Sequence, residues 1–252
     1  MSGKRISVIV PARNEAAALP GTLSAIIAAA SAFSKPPAHD FHLRDSSVEV
    51  FAVDNDSDDD TAALIDGFAE RFGVTRLHVA RRKAAAARNE GASNATSSIF
   101  VFVDADTRIP TDSFAKIADY ARNGFDAGIF RLADGDDCGL RAWCWWTYWE
   151  HVRRLPLAHA KAMPAFMFCT RLAFEEFGPF DETRVIAEEW PILARLYAAR
   201  PHRLVYDRKT TALTSSRRME KQLFGYTRLY AKYLWAILHE SGRIAGYGDG
   251  IR

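Results

Sequence analysis

The first hundred residues alternate between short apolar runs and longer segments whose composition favours helices. The apolar runs, rich in Val, Ile and Phe, cover residues 6–10, 48–53, 76–80 and 99–103. Such runs are typical of strands buried on both faces of a parallel sheet. Helices are predicted over residues 15–30, 61–72 and 84–94. This alternation predicts an α/β fold with a mostly parallel, Rossmann-like sheet flanked by helices.

The second half of the chain has a less regular pattern. Helices are predicted over the aromatic residues 138–154 and over 187–199, and strands over 165–169 and 203–206. Residues 219–238 have the spacing of a long amphipathic C-terminal helix. The Gly-rich residues 241–252 predict a flexible tail.

Composition narrows the class of protein. With 252 residues, of which 48% are hydrophobic, the chain can bury the core of one large domain. A net charge of +2 with dispersed Arg and Lys argues against a nucleic-acid partner. Three cysteines without a CxxC pair favour a reducing compartment. The N-terminal sequence predicts neither a secretory signal nor a membrane span, so we expect a cytoplasmic protein.

Two carboxylates follow the strand predicted at 99–103. Asp104 and Asp106 come one residue apart, directly after that buried run. Ligands of parallel sheets bind at the carboxyl ends of the strands. Oxygen ligands there suit a divalent cation such as Mg²⁺ or Mn²⁺, which would in turn hold a diphosphate. The alternative is a strand-end turn in which Asp104 caps the next segment.

Five segments occur in the order, and at about the spacing, of family two glycosyltransferases. They are VIVPARNEAAAL, VDNDSDDDTAALI, the DAD at 104–106, MPAFMFCTRLAFEEFGPFDE and the pair Glu188-Glu189. The chain resembles that family from residue 5 to about residue 200. The resemblance implies a GT-A fold, a nucleotide-diphosphate sugar donor, Mg²⁺ or Mn²⁺, and inversion at the anomeric carbon. It also implies a single domain over 1–240, with a nucleotide-sugar-binding half at 1–110 and a smaller acceptor-binding half at 111–240.

The same resemblance assigns the donor site to residues at the strand ends. These residues are Pro11, Ala12, Arg13 and Glu15 in the nucleotide pocket, Asp54, Asn55 and Asp56 near the base and ribose, Asp104 and Ala105 at the donor, and Asp104 and Asp106 as ligands of the metal. Asn55 stands where the family often has an acid, so the donor base stays open. For Asp54 the alternative is a helix-capping turn.

Basic residues that could neutralise the donor phosphates lie in two segments. Arg88, in RNEGAS, resembles the RN segment of the family, whereas Lys83 fits a solvated helix face better. Arg217 and Arg218 resemble an SxRR segment of some members and could clamp the diphosphate as it leaves. They could equally be surface arginines paired with Glu220.

The acidic pair at 188–189 follows FGPFDE at the spacing of the family's catalytic pair. Inverting transfer needs one carboxylate that takes the proton of the acceptor hydroxyl. The resemblance implies Glu189 as this base and Glu188 as a residue that orients the acceptor or the base. The alternative is that adjacent glutamates favour the positive end of the following helix.

An aromatic cluster lies between the two acidic motifs. It consists of Trp143, Trp145, Trp146, Tyr148 and Trp149. Three of its tryptophans recur every three residues, which predicts one helical stripe packed on the sheet. A shelf for the acceptor is an alternative. With the flanking arginines 141, 153 and 154, a third hypothesis is peripheral attachment to the anionic inner face of a membrane.

Taken together, the sequence predicts a metal-dependent, inverting glycosyltransferase. It would move one sugar from a nucleotide-diphosphate sugar to the hydroxyl of a glycan, a lipid or a small molecule. A catalytically silent carbohydrate-binding or scaffold protein with the same fold is the alternative. A sugar-phosphate nucleotidyltransferase is less favoured, because that class has a Gly-rich loop after its first strand and this chain has Pro-Ala-Arg-Asn-Glu there.

Overall fold

The computed structural model describes residues 5–34, 41–136, 139–152, 154, 165–183 and 190–217. These residues form one eight-stranded sheet with helices on both faces. The strands are β1 (Ile6–Ala12), β2 (Val48–Asp54), β3 (Thr75–His78), β4 (Ile99–Val103), β5 (Thr107–Arg108), β6 (Ala127–Asp134), β7 (Phe166–Thr170) and β8 (Leu204–Thr214). The α-helices are α1 (Leu19–Ser34), α2 (Thr61–Phe72), α3 (Ala84–Asn94), α4 (Ser113–Arg122), α5 (Gly139–Val152), α6 (Arg171–Phe177) and α7 (Trp190–Ala199).

The strand order is β3-β2-β1-β4-β7-β6-β8-β5. The first four strands are parallel to one another. β7 is antiparallel to both of its neighbours, and β6 and β8 therefore run in the same direction as β4. The carboxyl ends of β1, β2, β4 and β8 consequently meet at one edge of the sheet. The predicted α/β fold with a mostly parallel sheet is confirmed.

The core has two layers because alternate strand residues point to opposite faces of the sheet. On β1, Val8 and Val10 pack in the layer that contains residues of α1, α2, α4 and α5. Ile9 lies between them in sequence and packs in the other layer, with residues of α3, α6 and α7.

Several predicted elements match the structure closely, and others need correction. α2, α3 and β4 have the predicted bounds. The helix predicted over 15–30 begins only at Leu19, because the preceding loop binds another loop instead of continuing the helix. In that loop Asn14 has a left-handed backbone (φ 53°), and its Oδ1 accepts a hydrogen bond from the Asp58 amide at 2.7 Å. The segments predicted over 187–189, 219–238 and 241–252 lie outside the described residues.

Three elements after β5, namely α4, β6 and α6, were not predicted from the sequence. Of these, β6 pairs with both β7 and β8 and contains Gly128. A Cβ atom on Gly128 would lie 2.3 Å from the Phe168 ring and 2.7 Å from the Val205 side chain. The close packing requires glycine, and glycine in turn removes the β-branched signature of a strand.

The prediction that three tryptophans of α5 pack on the sheet is wrong for Trp143. Trp146 and Trp149 are buried, whereas the side of α5 that carries Trp143 faces solvent, and Trp143 is 62% exposed. Each step of three residues falls about 60° short of a full helical turn, so a run of three such positions drifts off the buried face. Leu140 and Tyr148 share the exposed side. Within the described ranges, no helix has both the length and the hydrophobicity to cross a bilayer.

Candidate functional site

The first two loops at the carboxyl edge of the sheet form one unit. β1 and β2 pair up to Ala12 and Asp54, and the Asn55 amide continues the pairing with a 2.8 Å hydrogen bond to the Ala12 carbonyl. Beyond the strands, the Asn14 amide donates to Ser57 Oγ at 3.2 Å. The structure thus brings together the residues at 11–15 and 54–56 that were assigned to the nucleotide pocket.

Asp104 begins the third loop, directly after β4. Its Oδ1 accepts a hydrogen bond from Arg88 Nη2 at 2.8 Å. Arg88 is only 4% exposed, and the Asp104 side chain is 34% exposed. The Arg88 guanidinium therefore binds the carboxylate that is expected to hold the metal, a contact that was not predicted from the sequence, and its role toward the donor phosphates stays a prediction.

Asp106 lies in the same turn, which several hydrogen bonds hold in place. The Thr107 amide donates to the Asp104 carbonyl at 3.0 Å, and the Ser215 amide donates to the Asp106 carbonyl at 3.1 Å. Thr22 Oγ1 donates to the carbonyl of the buried Ala105 at 2.8 Å. The two carboxylates therefore project from a turn that is fixed to α1 and to the end of β8.

The DAD turn fits one particular mode of metal binding. In the described part of the chain, no group of three or more His, Cys, Asp or Glu is placed to hold a metal ion. Mg²⁺ is commonly held by one or two carboxylates together with substrate phosphates. Two carboxylates at a partly exposed turn, Asp104 and Asp106, suit that shared coordination by protein and diphosphate.

Asp54 is buried at the end of β2 and already has protein partners. Its Oδ1 accepts from the Ser57 amide at 3.2 Å, and its Oδ2 lies 3.1 Å from His78 Nδ1. Arg76 Nη2 lies 3.8 Å from the same oxygen. Asp54 thus holds the loop before α2 but does not cap that helix, whose N-cap residue is Asp60.

Buried polar atoms without protein partners lie beside this loop. Asn55 is 4% exposed, and its Oδ1 has no hydrogen-bond partner in the described chain. Nε and Nη2 of Arg13 are also buried and have none among the described residues. Buried polar groups are almost always hydrogen-bonded in folded proteins. The hydrogen-bonding capacity of these atoms is thus left unused by the described part of the chain.

Asp56 lies at the exposed rim of the site, in a left-handed backbone conformation (φ 56°). Arg82 Nε binds its Oδ2 at 2.6 Å, and Arg82 Nη2 reaches Asp58 at 3.1 Å. The hydrogen bond from Arg82 lowers the pKa of Asp56, so this carboxyl is ionised at neutral pH.

The end of β8 brings a further arginine to the same edge. Arg217 Nη2 donates to the carboxylate of the buried Glu15. The Ser216 amide binds Asp136 Oδ2 at 2.8 Å, and Trp146 Nε1 donates to Ser216 Oγ at 2.9 Å. The predicted pair of Arg217 with Glu220 is not observable, because Glu220 lies outside the described residues, as do Arg218, Glu188 and Glu189.

Residues 178–183, which precede the acidic pair in sequence, contact α3 and the loop before it. Asn89 binds the main chain of Phe180, and Arg81 binds Glu182 at 2.8 Å. Lys83 Nζ donates to the Glu182 carbonyl at 2.6 Å, so this residue is exposed but not simply solvated. Neither Asn89 nor Glu182 was assigned a role from the sequence, although both lie inside the quoted motifs RNEGAS and FGPFDE.

The mixed, mostly parallel sheet with acidic loops at its carboxyl edge has the GT-A fold of glycosyltransferases. The chain belongs to glycosyl transferase family 2, whose family model matches residues 7–184. The resemblance predicted from the five motifs is confirmed. No curated protein matches the chain.

Solved structures of other enzymes are similar to the chain. The mannosyltransferase PcManGT from Pyrobaculum calidifontis, in complex with GDP-Man and Mn²⁺, is 19% identical, with a TM-score of 0.67, over 98% of this chain and 66% of that one. S. aureus TarS 1-349 in complex with UDP-GlcNAc is 16% identical, with a TM-score of 0.62, over 91% of this chain and 66% of that one. Glucosyl-3-phosphoglycerate synthase from Mycobacterium tuberculosis, in complex with Mg²⁺ and UDP, is 16% identical, with a TM-score of 0.60, over 93% and 79%.

At these identities the similarity establishes the fold. The chain spans 65% of the TarS 1-349 structure and 40% of the longer TarS structure. The chain therefore has the fold of these enzymes and belongs to a family of glycosyl transferases.

Proposed function

We propose that this protein is a metal-dependent, inverting glycosyltransferase that transfers one sugar from a nucleotide-diphosphate sugar to an acceptor hydroxyl. One observation carries the proposal. The Asp104 and Asp106 carboxylates follow β4 at the same sheet edge at which Arg13 and Asn55, after β1 and β2, have buried polar atoms without a partner among the described residues. A ligand with both an anionic part and a hydrogen-bonding part satisfies this arrangement, and a nucleotide-diphosphate sugar has both.

In this proposal the nucleotide lies across the first two loops. The Asn55 Oδ1 accepts a hydrogen bond from the base or ribose, and Arg13 binds an anionic or carbonyl oxygen of the donor. Pro11, Ala12 and Asp54 form the surrounding wall. A side-chain amide can pair with several bases, so the donor base is a matter for measurement.

Asp104 and Asp106 would hold Mg²⁺ or Mn²⁺ at the diphosphate. The bound ion would supply positive charge that stabilises the leaving diphosphate. Arg88 keeps Asp104 oriented, and Arg217 adds positive charge at the same edge. The complexes of PcManGT with GDP-Man and Mn²⁺ and of the mycobacterial synthase with UDP and Mg²⁺ support this choice of ligands.

The proposed reaction is a direct displacement. The acceptor oxygen forms a bond to the anomeric carbon while the bond from that carbon to the diphosphate oxygen breaks. The acceptor proton moves to the carboxylate of Glu189, and Glu188 orients the acceptor or the base. Both glutamates lie outside the described residues, and their roles rest on their position after FGPFDE.

The acceptor side of the proposal concerns α5. Its solvent-facing side carries Leu140, Trp143 and Tyr148, which suit an apolar acceptor or a shallow contact with the inner face of a membrane. We therefore propose a cytoplasmic protein with peripheral membrane contact. Sedimentation with anionic vesicles at low salt, for the wild type and for Trp143→Ser, tests the membrane contact. If neither protein pellets with the vesicles, the membrane contact is removed from the proposal.

Turnover of the donor alone tests the function directly. The protein is incubated with UDP- and GDP-sugars, with Mn²⁺ or with EDTA, and release of the nucleotide diphosphate is followed. We expect slow hydrolysis of one donor that requires Mn²⁺. No hydrolysis of any donor would favour the catalytically silent alternative, and pyrophosphate release from a nucleoside triphosphate with a sugar phosphate would favour the nucleotidyltransferase.

A further inference from the structure

One side-chain amide holds both main-chain polar groups of a residue far away in sequence. Asn89 Nδ2 donates to the Phe180 carbonyl at 3.0 Å, and Asn89 Oδ1 accepts from the Phe180 amide at 2.9 Å. The same Nδ2 also donates to Glu182 Oε1 at 3.0 Å. This arrangement needs two donated hydrogens and one acceptor on a short side chain, which the Asn89 amide supplies, whereas a hydroxyl has only one hydrogen to donate. Asn89 is thus matched to the backbone at residue 180.

The Phe180 ring is buried between β4 and Arg88. It packs edge-on against Phe102 with a centroid distance of 4.8 Å, and Phe102 precedes Asp104 by two positions. The guanidinium carbon of Arg88 lies 5.6 Å from the centroid of the Phe180 ring. The position of the ring therefore limits where the Arg88 guanidinium can lie, and that guanidinium binds Asp104.

Glu182 fixes the other side of the same segment. Its Oε2 pairs with Arg81 Nη1 at 2.8 Å, while Oε1 takes the bond from Asn89. The hydrogen bond from Asn89, together with Arg81, lowers the pKa of Glu182. An ionised carboxylate is the stronger acceptor, so the bond to Asn89 is charge-assisted.

We infer that Asn89 is a positioning residue for the Asp104 carboxylate and acts on it through Phe180 and Arg88. The inference rests on the proposed function, because the orientation of Asp104 matters only where this carboxylate holds the metal and donor. Residues that orient metal ligands change metal affinity or activity by about 10-fold to 100-fold when they are removed. Loss of the Asn89 contacts should accordingly raise the Mn²⁺ concentration that the enzyme needs.

The chain offers a closely matched pair of variants. Asn89→Asp keeps the shape of the side chain but replaces the donating NH₂ with an oxygen, which then faces the Phe180 carbonyl and the Glu182 carboxylate. Asn94, on the same helix, donates to the Glu90 carbonyl at 2.9 Å and to Glu90 Oε1 at 3.1 Å. Asn94→Asp thus makes the same chemical change, against a carbonyl and a glutamate, at an exposed position away from Asp104.

The measurements are the Mn²⁺ concentration for half-maximal donor turnover and the Kd of Mn²⁺ from titration calorimetry in the presence of the nucleotide diphosphate, with kcat, the donor KM and Tm recorded for each variant. Asn89→Asp should raise that concentration about 10-fold or more, whereas Asn94→Asp should leave it within about 2-fold of the wild type. In the double variant Asn89→Asp with Glu182→Gln, the glutamine NH₂ can donate to the new carboxylate, so the hydrogen bond between the two positions forms with donor and acceptor exchanged. The double variant should therefore need less Mn²⁺ than Asn89→Asp alone. Glu182→Gln alone keeps an acceptor for Asn89 and should have a small effect.

Different results would contradict the inference about Asn89 and the proposed function on which it rests. A folded Asn89→Asp protein with the wild-type Mn²⁺ requirement overturns the inference, even where its Tm is lower, because Asn89 then only stabilises the fold. If Asn89→Asp does not fold, Phe180→Leu is tested in its place. This variant keeps the main-chain hydrogen bonds to Asn89 and removes the aromatic ring beside Arg88. An unchanged Mn²⁺ requirement of Phe180→Leu would also overturn the inference. Wild-type protein that shows no Mn²⁺-dependent turnover contradicts the proposed function itself, before any variant is compared.

Discussion

Arg217 binds the carboxylate of Glu15, a residue 202 positions earlier in the chain. The contact forms because β8 runs in the same direction as β1 and ends at the same edge of the sheet. An arginine that follows the last described strand thereby lies against the first nucleotide loop. Its guanidinium pairs with Glu15 at the edge where we propose that the diphosphate binds.

Replacement of Arg217 with Gln should weaken binding of the donor diphosphate about 10-fold. A charge-assisted hydrogen bond contributes roughly 1.5 kcal/mol or more, and Gln can supply only a neutral one. Titration calorimetry with the preferred nucleotide diphosphate and Mn²⁺ measures the change. Arg122→Gln is the control, since that side chain is 73% exposed on α4. Equal affinities for Arg217→Gln and the wild type would exclude a role for this arginine in donor binding.

Asp106→Asn should abolish detectable sugar transfer while the protein stays folded. The amide keeps an oxygen as a weak acceptor for Thr214 Oγ1, which lies 3.4 Å from Asp106 Oδ1, but removes the charge that a divalent ion requires. Activity assays at saturating Mn²⁺ and a thermal melt measure both properties. Asp112→Asn, an exposed aspartate at the start of α4, serves as the control. Full activity of Asp106→Asn would refute the metal role of this residue.

The pair of Arg88 and Asp104 should show energetic coupling in unfolding experiments. Arg88→Met should lower the free energy of unfolding by about 1–3 kcal/mol, because it removes the buried donor and leaves the Asp104 carboxylate without this hydrogen bond. In the double variant with Asp104→Asn the second change should cost less than it does alone, as expected for residues in contact. Urea denaturation of the four proteins measures the coupling. Strictly additive losses would show that the hydrogen bond contributes nothing to stability.

The parts of the fold with regular local patterns could be predicted from the sequence. The apolar run before Asp104 and the Ala-rich run that precedes it define β4 and α3 without reference to other residues. β8 was predicted only over 203–206, because the strand bulges after Asp207. There Asp207 Oδ1 accepts from the Lys209 and Thr210 amides, and the register with β6 shifts, so apolar alternation is lost.

In the candidate site, too, some residues could be predicted from the local sequence and others could not. Asp104 and Asp106 were predictable because a carboxylate directly after a buried strand has few places to lie other than the edge of the sheet. The partner of Arg88 was not, since it is set by how α3 packs on β1 and β2, next to the end of β4. The contact of Asn89 with Phe180 joins positions 91 residues apart and depends on the path of the chain after α6. No local signal in the sequence encodes such a contact.

Glu150 should make the protein sensitive to acid. This buried carboxylate on α5 accepts from the Tyr206 hydroxyl, from Arg154 Nη2 at 2.9 Å and from Arg208 Nε at 3.1 Å. Burial alone would raise the pKa of Glu150, but the hydrogen bonds from these three residues outweigh it and lower the pKa. A carboxyl whose pKa is lowered in the folded state stabilises the fold above its unfolded pKa of about 4.3, and this contribution is lost as the pH falls through the folded value.

Glu150→Gln should therefore flatten the dependence of Tm on pH below about pH 5 and lower stability at pH 7 by about 1–2 kcal/mol. Thermal melts between about pH 3 and pH 7, a range that includes the ordinary pKa of a Glu carboxyl, measure both effects. Glu175→Gln, at an exposed position on α6, is the control. An unchanged pH profile for Glu150→Gln would show that other carboxyls dominate the acid response.

The sheet edge around Asp104 and Asp106 should bind a nucleotide diphosphate together with a divalent ion, and every other part of the proposed function depends on this. Thermal stabilisation by UDP, GDP, CDP and dTDP, each with Mn²⁺ and with EDTA, tests it most directly, with Asp106→Asn alongside. One diphosphate at about 100 times its Kd should stabilise the wild type by about 2.7 kcal/mol, which corresponds to a Tm increase of about 5–10 °C, only with Mn²⁺ and not in the variant. No shift with any of the four diphosphates, or a shift of equal size in EDTA and in Asp106→Asn, would contradict the claim.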